Sequence, residues 1–152
     1  MKWRDLLGEW GLSKLQLKAG FVEAEFVPRD MDRDAAWQLY VELATRVSTQ
    51  TLAAGQGSDK QAMASIYSLF PTTRAILKSC GPSAQNFARV AIAVLNVVLR
   101  PFLTRWHVRL DSDTPLSATD AALFRSELEA IRCDLREYAQ VLASIADVEA
   151  LA

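Results

Sequence analysis

Between Arg89 and Arg100 the chain offers a single polar side chain, Asn96, within Val90-Ala91-Ile92-Ala93-Val94-Leu95-Asn96-Val97-Val98-Leu99. A helix that is apolar on nearly every side must be surrounded by other elements. This run therefore reads as the core of a central helix over 83–107, and it constrains the fold more than any other stretch. Gly81-Pro82 precedes it, a helix stop followed by a residue that cannot continue the helix, and Ser83 stands where an N-cap belongs. The apolar run is ten residues long with an arginine at each end, about half of the ~20 a bilayer span needs, so no membrane span is expected.

Other segments supply partners for that helix. Beyond the turn-rich Asp111-Ser112-Asp113-Thr114-Pro115, Ser117 with Asp120 three residues later resembles a capping box, with Asp in place of the usual Glu or Gln. Ala121, Phe124, Leu128, Ile131, Leu135, Tyr138, Leu142 and Ile145 then recur at alternating steps of three and four, the spacing of left-handed bundle packing. Upstream, a helix from about Asp32 to Gln50 presents Ala36, Trp37, Tyr40, Leu43, Ala44 and Val47. Ser58 caps another, whose inner face is Met63, Ile66, Tyr67, Phe70, Ile76 and Leu77; Pro71 predicts a kink or two short helices meeting there.

The expected fold is thus mainly α. It is a four-helix bundle, antiparallel, kinked at Pro71 and Pro101, in one domain over 1–152. The first 28 residues differ. Trp3 to Leu12 reads as a short amphipathic turn or helix, and Leu15–Lys18 with Phe21–Val27 as a small β-hairpin about Ala19-Gly20. A lone hairpin is marginal in water, so it must lean on the helices or on another chain, with Trp3 and Trp10 as candidate docking residues.

Net charge is −1, but its distribution along the chain is uneven. Residues 1–59 carry seven basic and nine acidic side chains, 60–110 seven basic and no acidic, and 111–152 three basic and nine acidic. An acid-free stretch of that length is the strongest electrostatic signal in the sequence.

Catalytic and metal-binding patterns are sparse. His107 is the one histidine, with Asp111 one helical turn on; a catalytic pair would still want a nucleophile, and a histidine near a helix end also interacts well with the dipole. Asp30, Asp32 and Asp34 lack the glycine and distal glutamate of a calcium loop and read as acids at a helix N-terminus. No ligand spacing for a metal, phosphate loop or nucleophile elbow is present, so no cofactor is expected. Cys80 and Cys133 read as buried small hydrophobes, and the start of the chain shows no leader pattern, which together predict a cytoplasmic protein.

Two polar features carry the candidate binding residues. At 100° per residue, Gln85, Arg89, Asn96 and Arg100 share one narrow stripe of the central helix. Buried, such a stripe needs partners, either acids of the last helix (Glu127, Asp134 or Glu137) or an acidic ligand, phosphate or partner chain. Arg105, Trp106 and Arg109 form the second feature, either an interface or stacking site or a core tryptophan beside solvated arginines.

Asp32-Arg33-Asp34-Ala35-Ala36-Trp37-Gln38-Leu39-Tyr40-Val41-Glu42-Leu43, Ser65-Ile66-Tyr67-Ser68-Leu69-Phe70, and Leu99-Arg100-Pro101-Phe102 with Trp106-His107 resemble a group of small bacterial helical proteins of unknown activity. That group is loosely associated with antiviral or conflict systems. The resemblance implies a component acting beside larger partners and brings no catalytic residues with it. The leading expectation is a non-enzymatic protein–protein interaction or adaptor module, binding a protein partner or a second copy of itself. The runner-up is nucleic-acid or nucleotide binding through the basic 60–110 segment. A hydrolase-type enzyme using His107 and Asp111 comes third.

Overall fold

Residues 28–46 and 58–151, the part of the chain that the computed structural model describes, are mainly helical, with no strand among them. Three helical runs follow in order. The first is α1 (Asp30–Ala44). The second contains α2 (Asp59–Tyr67), α3 (Leu69–Cys80), a 3-10 turn at Gly81–Ala84, α4 (Gln85–Ala93), a π-helical segment at Val94–Leu99 and α5 (Arg100–Asp111). The third is α6 (Ala118–Ala146). The expected hairpin, with Trp3 and Trp10, lies outside the described residues, as does Val47.

Each interruption of the second run has a local cause. α2 starts at Ser58, whose hydroxyl accepts from the Gln61 amide at 3.0 Å while the Gln61 side chain accepts from the Ser58 amide at 3.4 Å. Pro71 has no N–H to give, and α2 and α3 meet as two short helices at Ser68, placing Pro71 in the first turn of α3 where the loss is least. α3 ends at Gly81, held at φ 69° and ψ −167°, a region essentially open to glycine alone. Pro101, at the start of α5, removes another amide and its ring crowds the preceding turn. Here the chain widens into the six-residue π segment immediately before it.

The start of the central helix differs from the expectation. Ser83 lies inside the 3-10 turn, and Ala84 occupies the N-cap without a side-chain bond. The missing acceptor comes from another helix. Asp32 of α1, fully buried, accepts from the Phe87 amide at 2.8 Å and from the Arg29 amide at 2.9 Å. One carboxylate therefore serves the N-termini of α1 and α4 together, a role more specific than the general dipole effect expected of Asp30, Asp32 and Asp34. α1 also begins two residues earlier than expected and ends at Ala44.

Around these elements a single core forms. α1 packs chiefly on α6 and also on α3 and α4, while α2 packs on α5. The predicted seam of α6 is buried from Phe124 to Ile145, Ala121 remaining half-buried, and Phe87, Trp106 and Phe124 are the largest fully enclosed side chains. The inner faces of α1 and α2 are rotated from expectation. Trp37 is 42% exposed, stacked on the Tyr40 ring at 5.8 Å, and Tyr67 is 63% exposed. Cys80 is buried, and burial pushes its thiol above the usual value, whereas Cys133 is exposed on α6, contrary to the expectation for both cysteines.

Candidate functional site

The arginines divide into those matched by carboxylates and those that are not. On the α5–α6 side the acids of 111–152 meet the basic segment. Arg105 pairs with Glu127 at 2.6 Å and Arg109 with Asp120 at 3.4 Å, while Arg125 of α6 pairs with Asp59 of α2 at 3.2 Å. Glu127 also accepts from the indole N–H of Trp106. The Trp106 ring is completely buried, meets Phe124 edge-on at 5.2 Å, and carries the Arg105 and Arg109 guanidinium groups at 5.5 and 5.2 Å from its centre. Of the two sequence readings of this trio, core packing is the one these contacts support, since every polar group of Trp106 is already engaged.

The stripe on the central helix takes a different form from either sequence alternative. Gln85, Arg89, Asn96 and Arg100 are all exposed, with Ile92 among them, so the helix is not enclosed on all sides. Nothing buried has to be neutralised, and Glu127, Asp134 and Glu137 do not pair with the stripe. Arg100 instead accepts order from neighbours of its own limb and the next: its Nε donates to Asn96 Oδ1 at 3.1 Å, and its guanidinium lies 5.2 Å from the centre of the Phe70 ring. Arg89 stands away from this group, and no ion pair reaches it among the described residues.

Arg100 and Phe70 both line a groove of about 520 Å³. One wall comes from α2 and α3, with Lys60, Met63, Tyr67, Phe70 and Arg74; the other comes from α5, with Arg100, Leu103, Thr104, His107 and Asp111. The helices that form the two walls are in contact, and Phe70 of one wall meets Arg100 of the other. Tyr67 and Phe70 stack at 6.2 Å with planes 25° apart, so Tyr67, Phe70 and Arg100 form one row of ring and guanidinium faces in the lining.

Lys60, Arg74 and Arg100 carry the groove's positive charge, and none of them has an ion pair with a carboxylate among the described residues. His107 Nε2 lies 3.4 Å from Asp111 Oδ2 in the groove lining, with the two side chains 71% and 63% exposed. The expected pair does come together. Among the described residues no hydroxyl or thiol is hydrogen-bonded to His107, and no group of three His, Cys, Asp or Glu side chains is gathered as metal ligands would be.

No family model, curated protein or solved structure matches this chain. Its function has to be read from the groove. Sequence reasoning did not name Lys60 or Arg74 as site residues and read Tyr67 and Phe70 as inner-face residues, although the acid-free 60–110 stretch contains all four. A reversal at Gly81 brings the two limbs of that stretch together, and three of its seven basic residues, Lys60, Arg74 and Arg100, line the groove between them.

Proposed function

We propose that this chain is a non-enzymatic helical binding module that takes an anionic partner in the groove between α2–α3 and α5. One observation carries the reading: three cations with no carboxylate partner among the described residues line the same cleft, whereas the arginines around α6 are paired with acids. Leaving them uncompensated raises the local potential, which attracts and retains anions. Arginine also offers a fork of donors suited to carboxylate or phosphate. This reading takes the two limbs about Gly81 as separate members of a four-helix bundle with α1 and α6, so that the groove is a seam left open between neighbouring members. It also fits a cytoplasmic component working beside larger partners, as the resemblance implies, with the segment holding Trp3 and Trp10 as a second contact.

Titration calorimetry of the full chain against inorganic triphosphate and polyglutamate tests it. At least one of these should bind with an affinity that falls steeply with salt. Arg74→Gln with Arg100→Gln should weaken that binding at least tenfold, while Arg89→Gln, away from the groove, leaves it unaltered. Equal binding by the double variant would refute the reading.

The His107–Asp111 contact favours a second reading, an acid–base pair at the groove mouth. Its exposure counts against it, because catalytic groups gain most where water is excluded. Turnover lost in His107→Gln with ligand binding intact would restore it.

A further inference from the structure

The groove does not resemble a plain basic patch. A site for a simple polyanion needs cations and little else, whereas this lining also holds two aromatic rings and a carboxylate. Tyr67 stacks on Phe70 with one face and remains 63% exposed, leaving ring surface at the groove that a flat ligand would cover. Phe70 carries the Arg100 guanidinium, so stacking surface and anion-binding fork are joined in one row. Asp111, beside His107 in the lining, accepts hydrogen bonds and repels a phosphate placed against it. A matching ligand needs a planar ring, an anionic group on one side of it, and hydroxyl or amine donors on the other. The volume, about 520 Å³, lies within the range that encloses one small ligand.

We propose that the groove is a nucleotide site, with the base stacked on Tyr67, the phosphate held by Arg74 and Arg100, and sugar or base donors facing Asp111. The inference rests on the reading of the groove as an anion-binding surface and adds the class of ligand. An acidic peptide satisfies the cations and leaves the exposed ring of Tyr67 unused. A free nucleotide and one residue of a single strand present the same ring and phosphate, and sequence-tolerant stacking on aromatic residues beside a basic groove is how single strands are held.

The test uses the full chain with four probes: adenosine monophosphate, adenosine triphosphate, a fluorescein-labelled single-stranded RNA octamer, and inorganic triphosphate as a ring-free control. Tyr67→Ala should weaken nucleotide or octamer binding by roughly five- to hundredfold, Tyr67→Phe should restore it, and triphosphate binding should not respond to either change. Tyr67 is on the surface, so circular dichroism should show all three proteins equally folded. Octamer binding more than tenfold tighter than that of either nucleotide, with a logarithmic salt slope of about −0.7 for each phosphate contacted, identifies a strand as the source. Equal affinities identify the free nucleotide. Arg-dependent triphosphate or polyglutamate binding with no loss of nucleotide affinity in Tyr67→Ala overturns the nucleotide assignment and leaves the anionic groove standing. Failure of every anion to bind overturns both.

Discussion

Replacing Asp32 by Ala should be among the most damaging single changes to the fold. The carboxylate is fully buried and accepts two backbone amides, Arg29 at 2.9 Å and Phe87 at 2.8 Å. Deletion orphans both amides at once. A lost helix cap costs about 0.5–2 kcal/mol, and a buried donor left without an acceptor about 1–3 kcal/mol. Release of the carboxylate from burial offsets part of the sum, which leaves roughly 2–4 kcal/mol from a total stability on the order of 5–15 kcal/mol. For a chain of this size that is a fall in Tm of about 4–16 °C. Asp32→Asn keeps one acceptor oxygen and should lose about half as much. Asp30→Ala is the control, because that side chain is 99% exposed and pairs only loosely with Arg33; it should stay within about 0.5 kcal/mol of the parent. Urea denaturation followed by circular dichroism measures all three. A loss below ~1 kcal/mol in Asp32→Ala, or one equal to that of Asp30→Ala, would show that the carboxylate does not join the two helices.

Leu135, fully buried in the middle of the α6 seam, should cost ~2–5 kcal/mol when cut to Ala, read from the same denaturation curves. At Gly81 an added methyl would meet nothing within 4 Å, so Gly81→Ala isolates backbone strain and should cost about 1–3 kcal/mol; a neutral result would mean that the turn relaxes. Desolvation, with a lesser push from Glu137, raises the Asp134 carboxyl above its ordinary 3.8. The folded chain then holds that proton more tightly than the unfolded one, and this residue's contribution to stability falls as pH rises from 3.8 through the raised value. Asp134→Asn should accordingly raise Tm at pH 7, with the gain shrinking on acidification through that window; a gain unchanged down to pH 3.5 would exclude the mechanism.

What the sequence disclosed depended on the kind of signal. The α6 seam was legible because one helix packed along its length keeps an unbroken three–four rhythm, and Phe124 to Ile145 are buried as that rhythm requires. Gly81-Pro82 and Ser58 were legible because stops and caps are local chemistry. Side chains whose surroundings are set by distant residues were not. Ser83 resembles a cap, yet Asp32, 55 positions from the Phe87 amide it accepts, does that work; neither residue's neighbourhood shows it. Trp37 and Tyr67 kept helical spacing but sit at the margins of their buried faces, where periodicity cannot separate core from surface. For the groove, composition marked the acid-free stretch, while the pairing that concentrates it comes from the reversal at Gly81. Arg89 and Arg100 need no internal acid because the central helix keeps one exposed face, with Ile92 on it, which an almost wholly apolar run does not reveal.

The wide turns at Val94–Leu99 fix more than the accommodation of Pro101. An α-helix advances about 100° per residue, so a π-type insertion shifts the phase of everything after it by roughly one residue's worth of rotation. Upstream, α4 addresses α1; downstream, α5 presents Phe102 and Trp106 to Phe124 of α6, and Leu103 and His107 to α2. With an uninterrupted α-helical phase, the two halves would not reach these neighbours in the same register. The π segment thus acts as an angular offset between the half of the helix that builds the interior and the half that lines the groove. Its six residues set the direction in which Arg100 and His107 point as firmly as the identity of those residues sets their chemistry.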